Sequence, residues 1–154
     1  MIEVQYREAD LSDVPAMARI RALEWQTEIY WQDRIAGYMN NEHHPQQALE
    51  KRIIYVATIT NNIIGFIAGH LTRRYNCDGE LEWINVVQEY RGKGVSAGLL
   101  RVLSRWFITQ NASMVCIDVD PENTTAQKFY RNHGAENLNK HWLYWKDISV
   151  VVKK

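Results

Sequence analysis

A short glycine-rich stretch, RGKGVS at residues 91–96, contains the residue types that bind phosphate groups in proteins. It follows an apolar run and precedes a segment with helical periodicity. The N–H groups of a helix's first turn have no partner inside the helix and point outward together, where the helix dipole adds partial positive charge. Gly92 and Gly94 allow the main chain to approach a phosphate closely, and Arg91 and Lys93 add positive charge. The stretch therefore predicts a cradle for a pyrophosphate group.

Two well-known phosphate-binding patterns match this stretch poorly. A Walker loop requires a serine or threonine directly after its lysine, whereas Gly94 follows Lys93 here. A dinucleotide-binding turn requires the spacing G-x-G-x-x-G, and the glycines at 92, 94 and 98 miss that spacing by one residue. The residues alone therefore leave two interpretations open, a pyrophosphate cradle or a tight turn that only connects a strand to a helix.

The elements that must position this turn are predicted from the spacing of apolar residues. Alternating patterns and short β-branched runs predict strands at 2–9, 53–58, 63–71, 81–87, 114–119 and 141–152. Helical spacing predicts a helix capped by Ser12, a second helix within 26–50 that is broken near Gly37 and Pro45, and helices at about 94–109 and 124–132. Asn61 and Asn62 predict a hairpin turn between the second and third strands.

The order β-α-α-β-β-β-α-β-α-β predicts an α+β protein with a mixed sheet. Strand 81–87, helix 94–109 and strand 114–119 are expected to form one right-handed crossover unit. The chain has 154 residues, enough for one domain with a real core and too few for two comfortable ones. We therefore expect a single domain over residues 1–154.

Composition and charge exclude several classes of protein. Lys plus Arg and Asp plus Glu number 18 each, and this zero net charge argues against a large sequence-independent contact with nucleic acid. No stretch approaches the roughly 20 apolar residues that cross a membrane, and the N-terminus lacks the basic and apolar regions of a signal peptide. Cys77 and Cys116 show no metal-ligand spacing, so we predict a reduced, cytoplasmic protein without a metal site.

Two segments of the chain together carry the motifs of one known protein family. The first, INVVQEYRGKGVSAGLL, resembles the acyl-CoA-binding segment of the GNAT superfamily of acyl-CoA-dependent N-acetyltransferases, in which the turn R/Q-x-x-G-x-G/A follows the fourth strand. The residues that fall on this turn are Arg91, Gly92, Lys93, Gly94, Val95 and Ser96, with serine at the last position where glycine or alanine is usual. The second, IDVDPENTTAQKFYRNHGA, resembles the later family segment N-x-x-A-x-x-F-Y-x-x-x-G-F. Its matching residues are Asn123, Ala126, Phe129, Tyr130 and Gly134, and Ala135 replaces the final aromatic.

The resemblance covers nearly the whole chain and implies a fold and a cosubstrate. It implies a mostly antiparallel sheet of six or seven strands, flanked by about four helices, in which the fourth and fifth strands splay apart. It also implies that acetyl-CoA places its pantetheine arm in this gap, where the backbones of Ile84 and Val86 would meet the pantetheine amides. The residues predict that Asn123 or Thr124 caps the helix at 124–132, and the resemblance implies that Asn123 also reaches toward the cofactor.

The reaction implied by the resemblance is direct transfer of the acetyl group to a primary amine. Such an amine is mostly protonated at pH 7 and must lose a proton before it attacks. Glu80 and Glu82 lie on one face of the predicted strand. Glu80 aligns with the catalytic glutamate of the histone-acetylating branch, whereas Glu82 lies nearer the gap, and we favour Glu82 as the base. Tyr130 occupies the position of a general-acid tyrosine that would serve the leaving thiolate.

The acceptor pocket is predicted in the aromatic segment before residue 40. Trp25, Tyr30, Trp31 and Tyr38 could attract a cation, although these rings could instead only cap the core. The acceptor itself stays open: a small molecule is favoured, and a protein N-terminus or lysine is the alternative. Two other functions also stay open, a catalytically silent CoA-binding sensor or interaction module and a nucleotide-phosphate protein. The resemblance also allows a homodimer.

Overall fold

The structure is a computed structural model that describes residues 3–153, and within them it contains one seven-stranded sheet and four α-helices. The strands are β1 (Gln5–Glu8), β2 (Ala48–Ile59), β3 (Asn62–Thr72), β4 (Gly79–Val86), β5 (Val115–Asp118), β6 (Glu136–Asn139) and β7 (Trp142–Trp145). The helices are α1 (Val14–Ala22), α2 (Glu28–Met39), α3 (Val95–Thr109) and α4 (Thr124–Asn132). The strand order is β1-β2-β3-β4-β5-β7-β6, and β4 and β5 form the parallel pair in an otherwise antiparallel sheet. The predicted mixed, mostly antiparallel α+β fold is confirmed.

Helices cover both faces of this sheet and form two apolar cores. On one face, α1 and α2 bury residues such as Met17 and Ile35 against Phe66 of β3. On the other face, α3 buries Leu99 and Leu103, which recur at helical spacing along it. No helix within residues 3–153 is long and apolar enough to cross a membrane.

The parallel pairing of β4 with β5 is short. It joins Gly79–Leu81 to Val115–Ile117, after which β4 continues to Val86 while β5 ends at Asp118. On its other edge, β4 stays paired with β3 as far as Val86. The backbone of β4 after Leu81 therefore has no strand beside it on the β5 side, which confirms the predicted splaying of the fourth and fifth strands.

The two N-terminal helices differ locally from their prediction. Ser12 does not cap α1. Asp10 caps a 3-10 turn over Leu11–Asp13, because its carboxylate accepts a hydrogen bond from the Ser12 N–H. α1 follows this turn with Asp13 at its N-cap and without a side-chain capping hydrogen bond. The predicted break near Gly37 is wrong, because α2 runs through this residue to Met39. Glycine suits this position because an added Cβ would lie only 3.3 Å from the Cβ of His43.

The C-terminal prediction is partly wrong. β7 ends at Trp145, and Ile148–Val151 form a 3-10 helix instead of continuing the predicted strand over 141–152. Strand β6 was not predicted, because its residues, ENLN, are mostly polar and show no apolar alternation. Pairing with β7 holds them in strand conformation. The predicted β2–β3 hairpin is confirmed, but its turn lies at Thr60 and Asn61, whose φ angles are 50° and 67°.

Candidate active site

A cleft of about 880 Å³ opens where β4 and β5 part. Its walls come from the second half of β4, the turn before α3, the end of β5 and the start of α4. The sequence-predicted site residues that line it are Glu82, Ile84, Val86, Arg91, Gly92, Gly94, Ser96, Asn123 and Tyr130. Glu80 and Val95 are buried outside its lining, and the Lys93 ammonium lies 5.7 Å from the centre of the Tyr90 ring. One cleft therefore unites most of the predicted cofactor-binding and catalytic residues.

The turn before α3 has a backbone conformation that favours glycine. Gly92 and Gly94 have φ angles of +74° and +86°, in the left-handed region, and an added Cβ at either position would meet no atom within 4 Å. Gly94 is the N-cap of α3, and no side chain caps the helix there. The first-turn N–H groups are therefore available to an anionic ligand in the cleft, which Gly94 and Ser96 line.

The side chain of Arg91 is engaged within the protein. Its Nε donates a hydrogen bond of 2.9 Å to the carbonyl of Val86, and a terminal nitrogen lies 3.4 Å from a carboxylate oxygen of Glu24. These contacts join the turn to the end of β4 and to the segment after α1. Arg91 thus helps to shape the turn, and the Val86 carbonyl, a predicted pantetheine contact, already accepts a hydrogen bond.

Glu82 lies in a β-bulge of β4. Across β3, Leu81 is opposite Gly69 and Trp83 is opposite Ala68, so Glu82 is the extra residue between them. A bulge interrupts strand alternation and re-aims a side chain. Leu81 accordingly packs in the core under α3, whereas Trp83 packs in the core under α1 and α2. The predicted alternation therefore fails at this position, and the bulge directs the half-buried Glu82 into the cleft.

The environment of Glu82 favours its protonated form. Burial first, and then the negative charge of Glu80, raise the pKa of Glu82 from its ordinary value of 4.5 to about 7. The positive charges of Arg74, Arg34 and Arg21 oppose this shift. A carboxylate with a pKa near the working pH is well suited to take a proton from an ammonium group.

Glu80 lies in the protein interior, behind Glu82. One of its carboxylate oxygens is 3.3 Å from Nε2 of His70 and 3.8 Å from Nε of Arg74. Atoms of His70, Glu80 and Glu82 that could bind a metal lie within 4.8 Å of one another. The Arg74 guanidinium supplies positive charge beside Glu80. Sequence reasoning missed His70, because only the β3–β4 register places it opposite Glu80.

Tyr130 and Asn123 belong to α4, on the other side of the cleft. Tyr130 is 5% exposed and packs against the rings of Phe129 and Trp145. Burial raises the pKa of Tyr130, so its hydroxyl remains protonated at neutral pH. Asn123 caps α4, because its side-chain oxygen accepts a 3.1 Å hydrogen bond from the N–H of Ala126. Asn123 also lines the cleft, so it can cap α4 and still lie beside the predicted cofactor site.

The predicted aromatic pocket lies behind the cleft. None of Trp25, Tyr30, Trp31 and Tyr38 lines the cleft; Trp31 and Tyr38 are buried in the core, and Trp25 is exposed. The Arg21 guanidinium lies over the Trp31 ring at 4.4 Å and lines the cleft. For Trp31 and Tyr38 this placement agrees with the alternative interpretation, in which the rings cap the core.

The comparison with known families assigns the chain to a family. The profile of the acetyltransferase (GNAT) family matches residues 17–135, which include the turn, the two glutamates and α4. The chain belongs to this family. The GNAT resemblance found in the sequence is thereby confirmed, and the protein is an acetyl-CoA-dependent N-acetyltransferase.

Individual relatives add detail to this membership. The chain is 29% identical to the aminoglycoside N(6')-acetyltransferase type 1 of Salmonella typhimurium over 98 residues, which are 60% of this chain and 68% of the relative. AAC(6')-Iy, solved with the bisubstrate analogue CoA-S-monomethyl-acetylneamine, superposes with a TM-score of 0.74 at 20% identity, covering 89% of this chain and 93% of that one. The PaiA N-acetyltransferase of Thermoplasma acidophilum, solved with coenzyme A, superposes with a TM-score of 0.69 at 15% identity, covering 94% of this chain and 99% of that one. These structures share the GNAT fold with this chain.

Proposed function

We propose that this GNAT enzyme acetylates a small molecule that carries several amino groups, with Glu82 as the base and Tyr130 as the partner of the leaving thiolate. The observation that carries the proposal is the position of Glu82, half-buried in the cleft at the point where β4 and β5 part. The acetyl-CoA thioester would lie in this gap, with its pyrophosphate at the Gly92–Gly94 turn and its pantetheine arm along Ile84.

The reaction would proceed in one transfer step. Glu82 takes a proton from the acceptor's ammonium group, directly or through a water molecule. The neutral amine nitrogen then forms a bond to the thioester carbonyl carbon, and the carbon–sulfur bond breaks. The sulfur leaves as the CoA thiolate with the electron pair of that bond. The nitrogen loses a second proton to solvent as the amide forms. The products are the amide and the CoA thiolate, and Glu82 holds the first proton until solvent removes it.

The environment of Tyr130 defines how it would assist. Burial raises the pKa of Tyr130 above its usual value near 10, whereas an ordinary thiol has a pKa of about 8.5. Full proton transfer from the tyrosine to the thiolate is therefore uphill. We propose that Tyr130 stabilises the developing negative charge on sulfur by donating a hydrogen bond, and that the thiolate is protonated later by solvent.

The charge of the cleft supports a cationic acceptor. Its lining includes four carboxylates, Glu24, Glu82, Asp118 and Asp120, and two arginines, Arg21 and Arg91. Arg91 is paired with Glu24, whereas Asp118 and Asp120 line the same cleft as the proposed base, Glu82. An acceptor with several ammonium groups could place one at Glu82 and another at these aspartates. Because a relative acetylates aminoglycosides, an aminoglycoside is the first acceptor to test.

The decisive experiment measures thiol release from acetyl-CoA with a panel of acceptors. The panel contains an aminoglycoside, spermidine, a monoamine sugar, and peptides with a free N-terminus or a lysine. We expect the acceptors with several amines to give the highest kcat/KM, and this preference to weaken as salt screens the aspartates. Glu82→Gln should lower kcat by about 100-fold or more while CoA affinity is kept.

The test includes a control substitution, and two outcomes would contradict the proposed function. Glu89→Gln makes the same change at an exposed residue beside the turn and should leave turnover as in the wild type. Release with peptides alone would favour a protein N-terminus or lysine as the acceptor. CoA binding without turnover on any acceptor would favour the CoA-binding sensor instead.

A further inference from the structure

A row of buried polar side chains runs from α2 to the back of Glu82. It consists of Tyr38 on α2, His70 on β3 and Glu80 on β4, which are 0%, 0% and 5% exposed. None of the three lines the cleft. Burying a carboxylate and an imidazole is costly unless each has a polar partner, so this arrangement requires an explanation beyond core packing.

The contacts along the row determine how its protons are arranged. The Tyr38 hydroxyl is 2.9 Å from Nδ1 of His70, and Nε2 of His70 is 3.3 Å from a Glu80 oxygen. An ionised carboxylate can only accept hydrogen bonds, so Nε2 must carry the hydrogen that faces Glu80. In a neutral imidazole Nδ1 then accepts from Tyr38, whose hydroxyl stays protonated because burial raises the pKa of Tyr38. His70 is thus oriented on one side by Tyr38, and on the other side its Nε2 lies 3.3 Å from Glu80, close enough for an electrostatic contact although not aligned as a hydrogen bond.

The facing atoms of His70 and Glu80 depend on each other. Both are shielded from solvent, and neither makes an aligned hydrogen bond to any described residue, so their 3.3 Å approach to each other is the closest polar contact of these two atoms among the described residues. Arg74 reaches the same Glu80 oxygen, but at 3.8 Å and from a partly exposed position over the ring of Trp142. Without His70, the buried Glu80 oxygen would lose its nearest polar contact, and a buried carboxylate without a polar partner is costly.

We infer that His70 and Tyr38 are positioning residues for the acetyl transfer, because they hold Glu80 as a fixed negative charge on the buried side of Glu82. The inference rests on the proposed function insofar as Glu82 is the base. On the sheet, Glu82 faces Glu80 and His70. The other charged groups around Glu82 are Arg21 on α1, Arg34 on α2 and Arg74 in the loop after β3. The arginines alone would make Glu82 a weak base, and the charge on Glu80 offsets them.

The test measures the titration of Glu82 directly, by carbon-13 NMR of the protein labelled at its glutamate carboxyl carbons. The Glu82 resonance is assigned by its loss in Glu82→Gln. Glu80→Gln keeps the shape of the side chain and removes its charge, so we expect the Glu82 midpoint to fall by about one pH unit or more. His70→Leu should shift the midpoint in the same direction, because Glu80 then loses the contact that holds its charge beside Glu82, and the double variant should add no further shift to that of Glu80→Gln.

Two further variants separate positioning from packing. His70→Gln retains an N–H donor and should keep the Glu82 midpoint near that of the wild type, whereas Tyr38→Phe should lower it by less than His70→Leu does. If His70→Leu fails to fold, Glu80→Gln and Tyr38→Phe still test the inference. A Glu82 midpoint that stays constant in Glu80→Gln or in His70→Leu would overturn it. Because the NMR titration needs no turnover, failure to find an acceptor would count against the proposed function and not against this inference.

The same shift is expected in the kinetics once an acceptor is known. The limb of the kcat/KM profile that reports the base should move to lower pH in Glu80→Gln and His70→Leu, and should stay in place in His70→Gln. A uniform loss of kcat at every pH, with the limb unmoved, would show that His70 only packs the core.

Discussion

Replacing the proposed base, in the variant Glu82→Gln, should raise the free energy of unfolding, and the size of this increase should depend on pH. The pKa of Glu82 is raised from 4.5 to about 7 in the folded protein, mainly because the carboxylate is buried. The folded state therefore binds more protons than the unfolded chain between these two values, and wild-type stability falls as the pH rises through this window. Glu82→Gln has no charge to bury, so this loss is absent.

The size of the effect follows from the same two values. At about 1.4 kcal/mol for each pH unit, the window from 4.5 to about 7 corresponds to about 3 kcal/mol. Near pH 5 the wild type has lost only a small part of this stability. The difference in the free energy of unfolding between Glu82→Gln and the wild type should therefore grow by about 2.5 kcal/mol between pH 5 and pH 8. This is a large fraction of the 5–15 kcal/mol, roughly, that stabilises a typical domain.

Urea unfolding of the wild type and of Glu82→Gln at pH 5, 6, 7 and 8 measures this difference. The change of amide for acid also alters hydrogen bonding, but that contribution is nearly the same at every pH and does not affect the slope. Glu89→Gln, at an exposed position, should run parallel to the wild type. Parallel stability curves for Glu82→Gln and the wild type would refute the reasoning that Glu82 is held near neutrality by its surroundings.

Four further substitutions test other parts of the cleft and the fold. Tyr130→Phe should lower kcat more than it raises KM for acetyl-CoA, and wild-type turnover would remove the hydroxyl from the mechanism. Gly94→Val introduces a side chain where φ is +86°, and calorimetry should show CoA affinity reduced about tenfold or more; unchanged affinity would contradict the placement of the pyrophosphate. Asn123→Ala removes the cap of α4 and should lower the free energy of unfolding by about 1 kcal/mol in a urea titration. Gly98→Ala would overlap the Tyr6 hydroxyl, so the end of the Tyr6 ring must shift, and this cost opposes the roughly 1 kcal/mol by which alanine favours a helix over glycine; the full gain in the free energy of unfolding should be measured only when Tyr6 is also replaced by alanine.

The parts of the fold that depend on local patterns were predictable from the sequence. The apolar repeat of α3 is read from Val95, Leu99 and Leu103, and the turn before it is read from its glycines. The cap at Asn123 follows from the residue type and the helix that it precedes. These features involve residues close together in the chain, so periodicity and propensity are enough to indicate them.

The parts that depend on strand register were not predictable. The bulge at Glu82 and the pairing of His70 with Glu80 both arise from how β3 lies against β4. Simple alternation predicted that Glu80 and Glu82 share one face of the strand, and their carboxylates do lie close together. Alternation did not predict the bulge, which directs Glu82 into the cleft. The contacts of Arg91 with Val86 and Glu24 likewise join residues far apart in the chain, and no local signal announces them.

The short pairing between β4 and β5 has a consequence for the protein without its cosubstrate. Beyond Leu81, the backbone of β4 forms an open sheet edge in the middle of the molecule. Open edges recruit other strands, and proteins commonly cover them to avoid self-association. When acetyl-CoA fills the gap, its pantetheine amides would cover this edge as a neighbouring strand does. The cosubstrate would then protect the enzyme against aggregation as well as supply its acetyl group, and the protein should stay soluble longest where CoA is abundant.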